Sequence, residues 1–148
     1  MSAEAQTVTP LFHGAQNHCF GCGPNNPFGL KLQFSVTPEL SVVCEANLSE
    51  FYEGPPGYVH GGVIATLLDE AMSKASRTRK VTAMTREMRI EYLKPVPSRT
   101  PIRILGQFIR SEGRKQWLTG EIQNLRGKVL ARADGFFIAI HSDQIPEA

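Results

Sequence analysis

Val59-His60-Gly61-Gly62-Val63-Ile64-Ala65-Thr66-Leu67-Leu68-Asp69-Glu70-Ala71-Met72 is the stretch whose reading decides the fold. From Gly62 to about Arg77 the spacing predicts one long helix. Ile64, Leu67, Leu68, Ala71, Met72 and Ala75 recur at i, i+3, i+4, i+7, i+8 and i+11 and form one apolar stripe. With about 100° of rotation per residue, the rest of the helix divides into two sectors. Glu70, Lys74 and Arg77 make one, read as a solvated face with a weak i,i+4 pair between Glu70 and Lys74. Asp69 shares the other with Ala65, Ser73 and Ser76, all small, so another element or a ligand can approach closely there. Aspartate is a poor mid-helix residue on propensity alone, so some interaction should compensate. The plainer alternative is an exposed or helix-packing carboxylate.

His60 belongs in the loop before the helix, because nine residues of helix would put it about half a turn from Asp69. Gly61 and Gly62 then sit at the helix start, where N–H groups lack intrahelical partners and the dipole is positive. Glycine also lets a ligand oxygen come close to that backbone. The competing reading is that the glycines make a tight turn and His60 caps or packs.

Outward from the helix, the period changes to two. Leu30, Leu32, Phe34 and Val36 alternate with Lys31, Gln33 and Ser35, which predicts a half-buried strand, and residues 41–48 read as its partner across a turn at Pro38-Glu39-Leu40. After the helix, Met88, Ile90 and Tyr92 alternate with Glu87, Arg89 and Glu91. Ile102, Ile104 and Phe108 share a face, and residues 117–123 and 129–140 are further strands. Ser111-Glu112-Gly113-Arg114 and Asn124-Leu125-Arg126-Gly127 read as hairpin turns. The expected class is α+β, with an antiparallel sheet of about six strands wrapped around one long central helix. Residues 1–17 read as a flexible tail and 18–148 as a single domain. The outer sheet face and the second helix face both hint at an oligomer.

Composition narrows the function classes. The 148 residues suffice for one domain, and 41% hydrophobic with 20% charged residues is ordinary for a soluble globular protein. A net charge of +2, with basic residues scattered, argues against nucleic acid and anionic membranes as partners. No apolar run approaches the roughly 18 residues of a membrane span, and no secretory signal opens the chain, so a cytoplasmic location is expected. Three cysteines fit a reducing compartment better than a disulfide framework. Cys19-x-x-Cys22, with His18 beside it and His13 upstream, invites a zinc reading, but the sequence offers no second pair to complete four ligands. An ordered loop with buried thiols and no metal is the expectation. Trp117 reads as a packing residue or interface anchor, and His141 as a surface residue. No Gly-rich phosphate loop, dinucleotide fingerprint or G-x-S-x-G elbow is present in the sequence.

With those residues in place, the chain resembles the hotdog-fold thioesterases, in particular their phenylacetate-pathway (PaaI-like) branch. Residues 59–72 are similar to that family's helix-opening motif, and Cys19-Phe20-Gly21-Cys22-Gly23-Pro24-Asn25-Asn26-Pro27-Phe28-Gly29-Leu30 is similar to the N-terminal loop of a bacterial subgroup. Residues 89–96 and Gly135-Phe136-Phe137-Ile138 match as well, so the resemblance covers roughly residues 18–141.

The resemblance implies hydrolysis of an acyl-CoA thioester at a subunit interface of a homodimer or homotetramer. No cofactor is implied beyond the coenzyme A carried by the substrate. Asp69 would be general base or nucleophile, the Gly61 N–H would polarise the thioester carbonyl, His60 would orient that carbonyl or the leaving thiol, and Thr85 would help hold the water. His60 and Asp69 would come from different subunits. Gly62 would help bind the substrate, Tyr92 would lie near the pantetheine channel, and Arg110, Gly113, Arg114 and Lys115 would lie beside the nucleotide. One position departs from the pattern. Several relatives carry Asn or Gln six residues before the histidine, and here Gly54 stands there. A noncatalytic acyl-CoA binding or sensing protein is the main alternative, and a hydratase on the same fold a weaker one.

Overall fold

The computed structural model describes residues 8–11 and 17–140. Its elements are β1 (Thr9–Pro10), β2 (Ser35–Val36), β3 (Val42–Asn47), a 3-10 turn (Glu50–Tyr52), α1 (Gly61–Arg77), β4 (Thr82–Tyr92), β5 (Pro101–Glu112), β6 (Lys115–Asn124) and β7 (Val129–Ile140). The strands form one antiparallel sheet in the order β1-β2-β3-β5-β6-β7-β4. One long helix against one antiparallel sheet is the expected hotdog arrangement. The sheet has seven strands rather than about six, the extra one being two residues long and paired with β2 inside the segment read as a tail. Residues 1–7 and 12–16 of that tail, His13 among them, and His141 lie outside the described residues.

The apolar stripe of α1 accounts for the way it docks. Ile64 is 4% exposed, and Leu67, Leu68, Ala71, Met72 and Ala75 are fully buried against Ile104, Leu118, Ile122 and Phe137 of the sheet. Burying each large side chain contributes about 1.5–3 kcal/mol. The helix comes unusually close to β5 at Gly106, where a Cβ would lie 2.1 Å from the Ala71 carbonyl oxygen. Only glycine allows that approach.

The first predicted strand is mostly absent. Leu32 and Phe34 are buried as the alternation required, but only Ser35 and Val36 join the sheet. Lys31 sits at φ 52, a left-handed conformation that interrupts an extended run, and the Leu32 N–H bonds the Gly21 carbonyl instead of a strand.

The supposed solvated face of α1 is also corrected. Lys74 is 9% exposed and Glu70 half-buried, because the loop 17–30 folds over them. At Gly21 a Cβ would meet Glu70 Cγ at 2.3 Å, a measure of how tightly that loop sits. In the other sector, Ala65 and Ser73 are half-exposed beside Asp69, whereas Ser76 is buried and donates to Gln116 Oε1 at 2.7 Å. Small size there serves packing on β6 as well as open approach.

Candidate active site

His60 is the N-cap of α1. Its Nδ1 accepts the Gly62 N–H at 2.9 Å, while its own N–H donates to the Tyr52 carbonyl at 2.9 Å. The capping reading is therefore correct for one ring nitrogen. A neutral imidazole accepting at Nδ1 carries its proton on Nε2, so the exposed ring keeps one donor to offer. The helix begins one residue earlier than expected, at Gly61. As the first helical residue, Gly61 has no carbonyl a turn back within the helix to receive its N–H. Its own carbonyl accepts the Tyr92 hydroxyl at 3.0 Å.

Longer-range pairing holds the His60 loop. Val59 N–H donates to the Val96 carbonyl at 2.8 Å, and Ser98 Oγ donates to Glu53 Oε2. The Ser98–Glu53 tie went unnoticed in the sequence, because nothing local signals a pair 45 residues apart. Beside Gly61 opens a largely apolar depression of about 380 Å³, bordered by Tyr58, Ile64, Tyr92, Leu93 and Val96. Gly54 lies against the imidazole, its missing Cβ 3.6 Å from His60 Cδ2.

Asp69 is half-exposed and accepts a hydrogen bond from Thr85 Oγ1. This is the compensating interaction that a mid-helix aspartate needed. It depends on a β-bulge. Thr85 pairs with Phe137 and Glu87 with Phe136, leaving Arg86 as an extra residue. The bulge reverses the side-chain alternation, so Thr85 and the even-numbered Met88, Ile90 and Tyr92 all face the helix side.

The chain thus brings His60, Gly61, Gly62 and Tyr92 together at one end of α1, and Asp69 with Thr85 on another stretch. Eight residues at 1.5 Å rise put Asp69 roughly 12 Å along the axis from Gly61. The basic hairpin is at the far end of the sheet. Tyr92 pairs with Ala131 near the start of β7, whereas Lys115 pairs with Ile138 near its end. Gly113 makes the hairpin turn at φ 59, and Arg114 Nε donates to the Ala139 carbonyl at 3.0 Å. Arg110 stacks 3.6 Å over the Trp117 ring, and Trp117 stacks on Phe136. Trp117 thus packs between Arg110 and Phe136.

A separate cluster lies under the N-terminal loop. The ligand atoms of Cys19, Cys22 and Glu70 all lie within 4.8 Å of one another. Burial pushes the Cys22 thiol up to about 12; the Glu70 carboxylate adds to the effect and Lys74 opposes it. Among the described residues, no helix is long and apolar enough to cross a membrane.

Comparison with known proteins agrees with this fold. The family model of the thioesterase superfamily matches residues 56–131, which include the His-Gly-Gly turn, α1 and most of the sheet. Acyl-coenzyme A thioesterase THEM4 of Rattus norvegicus is 32% identical over 107 residues, 72% of this chain and 46% of that protein. The chain thus spans under half the length of this relative. The crystal structure of protein RHA08564, a thioesterase superfamily protein, superposes with a TM-score of 0.78 at 31% identity, covering 82% of this chain and 60% of that one. The Escherichia coli PaaI protein from the phenylacetic acid degradation operon shares the fold, with a TM-score of 0.69 at 20% identity over 76% of this chain and 81% of that one. With the fold, the helix-opening motif and a family match over more than half its length, the chain belongs to the thioesterase superfamily.

Proposed function

We propose that the protein hydrolyses acyl-CoA thioesters, with each active site assembled from two copies of the chain. The observation that carries this reading is the outward-facing Asp69 held by Thr85, set about 12 Å along the helix from the Gly61 N–H. That span is too long for one chain's Asp69 and Gly61 to serve one carbonyl. A second copy packed on the same helix face brings its Asp69 to the first copy's Gly61. The name of the rat relative, an acyl-coenzyme A thioesterase, supports the substrate class.

In this mechanism the acyl chain or pantetheine occupies the depression beside Gly61. The Gly61 N–H donates to the thioester oxygen as it becomes an oxyanion, an effect worth roughly 3 kcal/mol at the barrier. His60 Nε2–H orients the carbonyl or the departing thiol. Thr85 donates to Oδ1 of Asp69 and leaves Oδ2 to accept a proton from water, or to attack the carbonyl directly. Direct attack expels the CoA thiolate and leaves a mixed anhydride. One turnover in ¹⁸O-water that gives unlabelled acid and labelled Asp69 marks this route, with water opening the anhydride at the Asp69 carboxyl carbon.

Mixing two inactive variants, His60→Ala and Asp69→Asn, tests the shared site. A hybrid dimer then holds one intact pair, and reassociated mixtures recover roughly a quarter of wild-type thiol release. If His60 and Asp69 of one chain served one site, no mixture would recover activity. The glycine at position 54 favours a second reading, a protein that binds acyl-CoA without turnover, because a side-chain donor is missing there. Tight binding across an acyl-CoA panel with no thiol released would establish it.

A further inference from the structure

We infer that Cys19, Cys22 and Glu70 form a zinc site that ties the N-terminal loop to the helix bearing Asp69. The sequence alone supplied a Cys-x-x-Cys pair with nothing to complete it; the fold supplies the third ligand from 48 residues further on. Cys19 Sγ lies 3.4 Å from Glu70 Oε1. Tetrahedral zinc with bonds of about 2.3 Å to sulfur and about 2.0 Å to oxygen needs roughly 3.5 Å along that edge. All three ligand atoms lie within 4.8 Å of one another, against a sulfur–sulfur edge of about 3.8 Å in a tetrahedral zinc site. Three protein ligands leave the fourth position to water.

The loop is shaped for this convergence. Gly23 N–H donates to the Cys19 carbonyl at 2.9 Å, and Cys19 N–H to Asn17 Oδ1 at 2.8 Å, so both sulfurs are fixed on one turn. A Cβ at Gly23 would meet Cys19 N at 2.3 Å, and one at Gly21 would meet Glu70, so neither position admits a side chain without moving a ligand. Leu30 N–H and Leu32 N–H anchor the loop's return to the Phe20 and Gly21 carbonyls at 2.8 and 2.9 Å.

Charge explains the buried Lys74 beside Cys22. Two thiolates and a carboxylate carry three negative charges, which a divalent ion and one ammonium balance. Binding forms two Zn–S bonds and one Zn–O bond and releases the two thiol protons to solvent, with no change of oxidation state. Mixed thiolate and carboxylate ligation suits zinc better than magnesium or calcium.

The test uses the full-length protein, purified with a thiol reductant and without chelator, with zinc measured by plasma mass spectrometry. About one zinc per chain is expected, and replacement by Co²⁺ should give a thiolate-to-cobalt charge-transfer band with the intense visible bands of a tetrahedral ion. Cys19→Ser and Glu70→Gln should each hold zinc at least about tenfold more weakly while remaining folded by circular dichroism. Cys19 is only half-buried, so its variant reports on ligation more than on packing. Zinc below about a tenth of an equivalent, together with no thiolate-to-cobalt band in reduced protein, overturns the inference. So does unchanged affinity in both variants.

Discussion

Substituting His60 separates the two tasks that the geometry gives one ring. Nδ1 caps the helix by accepting the Gly62 N–H at 2.9 Å, and the proposed mechanism assigns Nε2–H to the substrate. Loss of an N-cap acceptor costs about 1 kcal/mol, which for a domain of this size lowers Tm by about 2–4 °C. His60→Ala removes both functions and should show that loss together with a fall in kcat/KM on the order of a hundredfold. His60→Ser restores a cap oxygen but cannot reach the carbonyl. It should recover stability to within a few tenths of a kcal/mol while staying nearly as slow as alanine. The assays are chemical denaturation and thiol release from an acyl-CoA that the wild type turns over. If the serine variant regained wild-type kcat/KM, His60 would be a cap and nothing more.

Asp69→Asn should cut kcat by more than about a hundredfold with stability intact, and Thr85→Val should lose less, roughly tenfold, with Thr85→Ser recovering most of it; equal effects on both would contradict the assigned order of importance. Gly54→Asn puts an amide beside the His60 ring and should raise kcat/KM for thiol release; a fall without loss of fold would place the missing donor elsewhere. Gly106→Ala drives a Cβ to 2.1 Å from the Ala71 oxygen and should cost about 3 kcal/mol or abolish folding, whereas Gly120→Ala, whose nearest contact is 3.4 Å, should be milder by thermal melting. Burial pushes the Cys44 thiol up to about 11 from an ordinary value of 9.0. The unfolded chain therefore releases this proton first, and Cys44 should contribute a fall in stability of at most about 2–3 kcal/mol as pH rises from about 9 to about 11, to which the raised Cys22 thiol adds. Cys44→Val should flatten that decline in urea titrations, and an unchanged slope would show that another group is responsible.

The sequence by itself determined the elements that depend on near neighbours. The i, i+3, i+4 stripe from Ile64 to Ala75 required one buried helix, and the two-residue alternation from Met88 to Tyr92 required a strand, because each period lies within a single element. The His-Gly-Gly turn could be placed at the helix start for the same reason. Tertiary structure decided what rests on contacts far apart in the chain. The bulge at Arg86 turns Thr85 toward Asp69, although simple alternation with Tyr92 would have sent it to the other face. Glu70 and Lys74, polar residues at surface-like positions, are covered because the loop 17–30 packs on them, and helical spacing carries no trace of that loop. Periodicity reports which face of an element is apolar, but which segment covers the remaining faces is settled only when the chain closes on itself.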